Sequence, residues 1–79
     1  MTGRCPDCGQ PGWLNAHYGV CQPCVLHAKK IARAFFDEGE TSPAGRALVA
    51  ASSPVRVATA RQLYASMRAA RRMGVEVRP

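Results

Sequence analysis

The residues best equipped for chemistry are four cysteines, which fall as two pairs, Cys5-Pro6-Asp7-Cys8 and Cys21-Gln22-Pro23-Cys24, separated by twelve residues. A C-x2-C turn aims two thiolates at one point, and two such turns supply the four sulfur corners of a tetrahedral zinc site. One structural Zn2+ held by Cys5, Cys8, Cys21 and Cys24 is the expected cofactor. Iron also suits four thiolates, and a redox dithiol is a third reading. Disulfides are disfavoured in a chain whose first residues carry no apolar secretory stretch. Four thiolates leave the metal no open coordination position, so it would neither activate water nor polarise a substrate. His17 and His27 then read as surface or neighbouring residues rather than ligands. The metal with its four thiolates carries two net negative charges, which nearby N–H groups or Lys29, Lys30 and Arg33 would offset.

These ligands need elements to hold them. Gly9, Pro11 and Gly12 break the chain after the first pair, and Trp13 to Val20 reads as a short hairpin turning near Asn15 and Ala16. Beyond the second pair, Val25, Ala28, Ile31, Ala32 and Phe35 recur at helical spacing. Pro23 suits the first turn of that helix, because its missing N–H would be unpaired there. A knuckle, a hairpin and a helix carrying the last two ligands is the treble-clef arrangement.

The stretch Arg4-Cys5-Pro6-Asp7-Cys8-Gly9-Gln10-Pro11, followed by Gly19-Val20-Cys21-Gln22-Pro23-Cys24-Val25, resembles the zinc-bearing form of small-subunit ribosomal protein S14. That finger has the same twelve-residue gap, a Cys-Gly-x-Pro after the first knuckle and Gly-apolar-Cys before the second. The resemblance covers residues 4–28. It implies a treble-clef fold and a ligand role for Cys5, Cys8, Cys21 and Cys24; similar fingers serve RNA, DNA and protein partners.

The remainder reads as helical. Asp37-Glu38-Gly39-Glu40 ends the first helix with Gly39 as cap. Ser42-Pro43 and Ser53-Pro54 each give a cap followed by a first-turn proline, for a short helix through about Ala51 and a longer one through about Met73. On the last helix Val57, Ala60, Tyr64, Met67 and Ala70 form an apolar stripe, expected to pack on Ile31, Phe35 and Leu48, while Arg61, Arg68 and Arg72 share another face. The segment 47–61 also invites comparison with a helix-turn-helix presenting Arg56, Thr59 and Arg61, although the turn glycine is missing. Val75 to Pro79 reads as a loose tail.

The fold class is thus a small zinc-stabilised α+β protein: a treble-clef-like four-cysteine finger with its helix (1–38), then a basic helical extension of two further helices packed on it (39–74), then a tail (75–79). At 79 residues, with 13 of the apolar residues alanine, the core must be thin and a staple is needed. No apolar run spans a bilayer, and the reading is a soluble cytoplasmic chain without a membrane partner. No catalytic constellation or phosphate-cradling loop appears, so neither an enzyme nor a small-molecule substrate is expected.

Charge points to partners. Acids and bases cancel over residues 1–40, and the whole net charge of +6 resides in 41–79, where every cation is arginine. Guanidinium forks grip phosphates bidentately. The first expectation is a nucleic-acid-binding or transcription-regulating protein in which Arg56, Arg61, Arg68, Arg71 and Arg72 contact phosphates. The second is an adaptor or inhibitor, phage-encoded in one version, docking on a larger protein such as RNA polymerase through Trp13, Leu14 and Tyr18. A ribosome-associated factor is the third.

Overall fold

The computed structural model describes residues 1–74; the tail expected at 75–79 lies outside them. Two short strands, β1 (Thr2–Arg4) and β2 (Pro11–Trp13), pair antiparallel with Gly3 opposite Gly12. They are followed by three helices, α1 (Gln22–Glu38), α2 (Pro43–Ala51) and α3 (Pro54–Arg72). The observed class is α+β: a β-hairpin with a four-cysteine cluster, then three helices.

The hairpin is not where periodicity put it. β1 and β2 flank the first cysteine pair, so the knuckle itself is the hairpin's connection, closed by Cys5 N–H donating to Gln10 O at 2.9 Å and Gly9 N–H to Cys5 O at 2.8 Å. Gly9 has φ 79°, a left-handed turn position that suits glycine. Residues 13–20 instead contract to a single bridge between Leu14 and Cys21. The Asn15 carboxamide Oδ1 accepts from the N–H groups of His17 (2.8 Å) and Tyr18 (3.1 Å), winding a tight turn where strands would need extended backbone.

The helix boundaries follow their local signals closely. Gly39 (φ 96°) ends α1 with its N–H on Phe35 O at 2.8 Å. Ser42 Oγ accepts from Gly45 N–H at 3.0 Å to start α2, and Ser53 Oγ accepts from Arg56 N–H at 3.1 Å to start α3. Gly45 is buried where α2 meets the end of α1; a Cβ there would run into the carbonyls of Gly39 and Glu40.

α3 lies along α1, and α2 packs on α1 near its C-terminus. Ala28, Ala32 and Ala60 are fully buried in this seam, where their small side chains let the helices approach, and Ile31, Phe35 and Met67 fill the rest. Phe35 meets Tyr64 edge to face at 6.1 Å between centroids. The expected stripe on α3 is therefore the core face, with Leu48 at its margin. α3 takes α1 rather than α2 as its main partner, so the two helices of segment 47–61 are held chiefly through α1. Thr59 is buried, its hydroxyl donating to Val55 O at 3.0 Å, which removes it from any groove-facing surface. The result is a plate, with Cα extents of 36 × 28 × 14 Å. Among the described residues no helix is long and apolar enough to cross a membrane.

Candidate metal centre

Cys5 and Cys8 sit on the knuckle between β1 and β2, while Cys21 is the N-cap of α1 and Cys24 lies in its first turn. The hairpin and the helix end thus bring together pairs separated in sequence. All four Sγ atoms lie within 4.8 Å of one another. Cys5 Sγ is 3.8 Å from Cys24 Sγ, and Cys8 Sγ is 3.6 Å from Cys21 Sγ. With metal–sulfur bonds near 2.3 Å, the edge of a tetrahedral four-sulfur site is about 3.8 Å. These two edges match that value, the cluster as a whole could hold one ion, and all four cysteines are free thiols.

Electrostatics favour a cation here. Burial would raise the Cys5 thiol, but N–H groups of Cys21, Cys8 and Asp7 outweigh it and hold it down at about 6; the Cys21 N–H lies 3.4 Å from Cys5 Sγ. Burial pushes the Cys24 thiol up, helped by the neighbouring thiols and the Asp7 charge. Cys21 is drawn down by the N–H and thiol of Cys24, yet ends raised because burial and the thiols of Cys8 and Cys5 prevail. One thiolate is welcome and further ones are resisted. A divalent ion removes that conflict by neutralising charge at the point where the sulfurs converge.

The site is not evenly enclosed. Cys5 and Cys24 are buried with Leu14, Val20 and Val25, whereas Cys8 is exposed. Around it Pro11, Trp13, Pro23, His27 and Arg56 line a shallow concavity. His27 is an exposed neighbour, and the ligand cluster contains neither histidine.

One contact was not legible in the sequence. Asp7, inside the first knuckle, has its side chain only 3% exposed. Its Oδ1 accepts from Ser53 Oγ at 2.7 Å and its Oδ2 from Arg56 Nε at 2.9 Å. Burial alone would raise the Asp7 carboxyl, but the Ser53 hydroxyl and the Arg56 guanidinium hold it below the usual carboxylate range. Arg56 is in turn raised by Asp7. The knuckle is thereby tied to the start of α3, 46 residues away.

No family model, curated protein or solved structure matches this chain. The four clustered cysteines beside a hairpin and a helix are consistent with a zinc finger.

The residues expected at partner surfaces divide. Arg56 is committed to Asp7, and Arg61 Nη2 to Glu40 Oε2 at 2.7 Å. Arg68, Arg71 and Arg72 have no carboxylate partner among the described residues. The Arg68 guanidinium lies over Tyr64 (5.7 Å to the centroid) and that of Arg71 over Phe36 (5.4 Å). Arg33 of α1 also lies over Phe36, at 5.9 Å, which joins a cation of the first helix to those of the third. Of the proposed anchors on the hairpin side, Leu14 is corrected to a core residue at 7% exposure, while Trp13 is 70% exposed. Neighbouring residues of a strand point to opposite faces, so the two could not both be outward. Tyr18 is half-buried, packed on the finger core and edge-on to His17 at 4.5 Å.

Proposed function

We propose that this chain is a non-catalytic, treble-clef zinc protein that binds nucleic acid, with transcription as the process it regulates. Zinc is the ion that suits four thiolates at these separations without redox chemistry. The treble-clef reading is supported by a first ligand pair on a hairpin knuckle and a second at the start of a helix.

The observation that carries the binding reading is the shared ring of Phe36. Through it Arg33, with Lys29 and Lys30 on the same flank of α1, continues into Arg68, Arg71 and Arg72 at the C-terminal end of α3. The band crosses two helices, so the cations of the neutral first half contribute as well as the arginines of the second. Arg56 and Arg61, paired with Asp7 and Glu40, fall outside it, and Arg33 joins it while its Nε pairs with Asp37 at 3.1 Å. Phosphate contacts make affinity salt-dependent, by about 0.9 in the log–log slope per phosphate on duplex DNA. Binding of a labelled oligonucleotide should weaken steeply between low and physiological salt, and charge reversal at Arg68, Arg71 and Arg72 together should abolish it. A flat salt dependence, or full binding by the charge-reversed protein, would sink the reading.

The exposed Trp13 favours a second reading, an adaptor docking on a larger protein such as RNA polymerase, because exposed tryptophans dominate interface energies. Trp13→Ala should leave nucleic-acid binding intact in the first case. In the second it should release the protein partner without unfolding the chain.

A further inference from the structure

At the far end of the helical seam from the cysteines, Phe36 of α1 and Tyr64 of α3 floor an open concavity of about 510 Å3, rimmed by Arg68, Arg71 and Arg72. Both rings are half-buried, their inner edges packed against the core that holds Phe35 and Met67. Two of the three rim arginines already lie over these rings, at 5.7 Å and 5.4 Å from the centroids.

A duplex hides its base faces inside the helix and offers a protein its phosphates and groove edges. Rings at the floor of a hollow would be idle against such a ligand. An unpaired nucleotide has a flat aromatic face and a phosphate within a few ångströms of each other, and the hollow presents the complement of both. Bases stack on aromatic rings and on guanidinium planes, while arginine forks take the phosphate. We infer that this concavity is a stacking site for single-stranded nucleic acid, in which Phe36, Tyr64 and the Arg68 and Arg71 guanidinium planes receive an unpaired base and Arg72 holds the adjoining phosphate. The inference rests on the nucleic-acid reading above and narrows its ligand to strands with exposed bases.

The measurement is fluorescence anisotropy of the zinc-loaded full chain with three probes of equal length: oligo(dT), oligo(U) and a hairpin-free DNA duplex. Both single strands should bind at least tenfold more tightly than the duplex at the same salt. Tyr64→Leu should weaken single-strand binding about tenfold, within the range found for loss of one stacking ring, and leave duplex binding unchanged. Because Tyr64 also touches the core, Arg71→Lys serves as the companion variant. It keeps the charge and removes the planar fork, so single-strand affinity should fall several-fold more than duplex affinity.

Equal affinity for duplex and single strands, or an Arg71→Lys loss no larger for single strands than for duplex, would overturn the stacking site and leave phosphate binding standing. Absence of binding to all three probes at low salt would remove the nucleic-acid reading and this inference together.

Discussion

Around the cysteines the buried side chains are Cys5, Leu14, Val20, Cys24 and Val25, whereas along the seam of α1 and α3 they are Ala28, Ile31, Ala32, Phe35, Ala60 and Met67. The first group contains two of the clustered cysteines and three aliphatic residues, enclosed by three-residue strands whose own side chains are exposed. The second is an uninterrupted apolar interface between helices of 17 and 19 residues. A hydrophobic seam can hold regular helices by itself, but loops with so little to bury need a far stronger anchor. Helix α1 belongs to both regions, giving its N-terminus to the cysteine cluster and its middle to the seam. Among the described residues, the polar side-chain tie that bypasses α1 at this end is the Asp7 group with Ser53 and Arg56.

Removing the metal is the strongest way to test the contrast. Chelation, or Cys5→Ser, should forfeit a binding free energy on the order of 10 kcal/mol and release residues 1–21, while much of the α1–α3 helicity persists. Amide exchange would report this residue by residue, with metal content measured in parallel; retained protection over 1–21 in the metal-free protein would break the distinction between the two regions. Phe35→Ala attacks the other interior. Emptying that fully buried position should cost about 3–5 kcal/mol, most of the stability available to so small a domain. Here helical circular dichroism should collapse while tetrahedral cobalt binding by the cysteines survives in weakened form. Asp7→Asn sharpens the comparison with the smallest effect. It keeps an acceptor for Ser53 but removes the charge facing Arg56, and a loss of about 1–2 kcal/mol is expected. Because Trp13 is the chain's sole tryptophan and lies beside the finger, its fluorescence and the helical signal should then give denaturation midpoints that separate, where in the parent protein they coincide.

Much of this was legible because its causes are local. Ser42-Pro43, Ser53-Pro54 and Gly39 set helix ends through their own hydroxyls and backbone preferences, and two C-x2-C turns have little else to form than one four-sulfur cluster. The hairpin was misplaced because Thr2-Gly3-Arg4 and Pro11-Gly12-Trp13 have no alternating apolar pattern; they pair because the knuckle between them folds the chain back on itself. Period-two alternation, applied to Trp13 and Leu14, would have shown that only one of them could face outward. The roles of Arg56 and Arg61 depended on acids 49 and 21 positions away. Helical spacing places a side chain on a face of its own helix, but says nothing about what another segment lays against that face. For the same reason the meeting of Arg33 and Arg71 over Phe36 emerges only once α1 and α3 are side by side.

With its Cα atoms confined to 14 Å along the short axis, the chain is no thicker than one helix laid on another, about 8–10 Å between axes plus the width of the helices themselves. No backbone atom can lie deeper than about half that thickness from one of the two broad sides. Each helix must therefore supply filling on one face and outer wall on another. A residue altered on one side is one turn away from a residue serving the other, so remodelling either side will disturb its opposite, and a larger body laid flat on one side would still be within reach of changes made on the reverse.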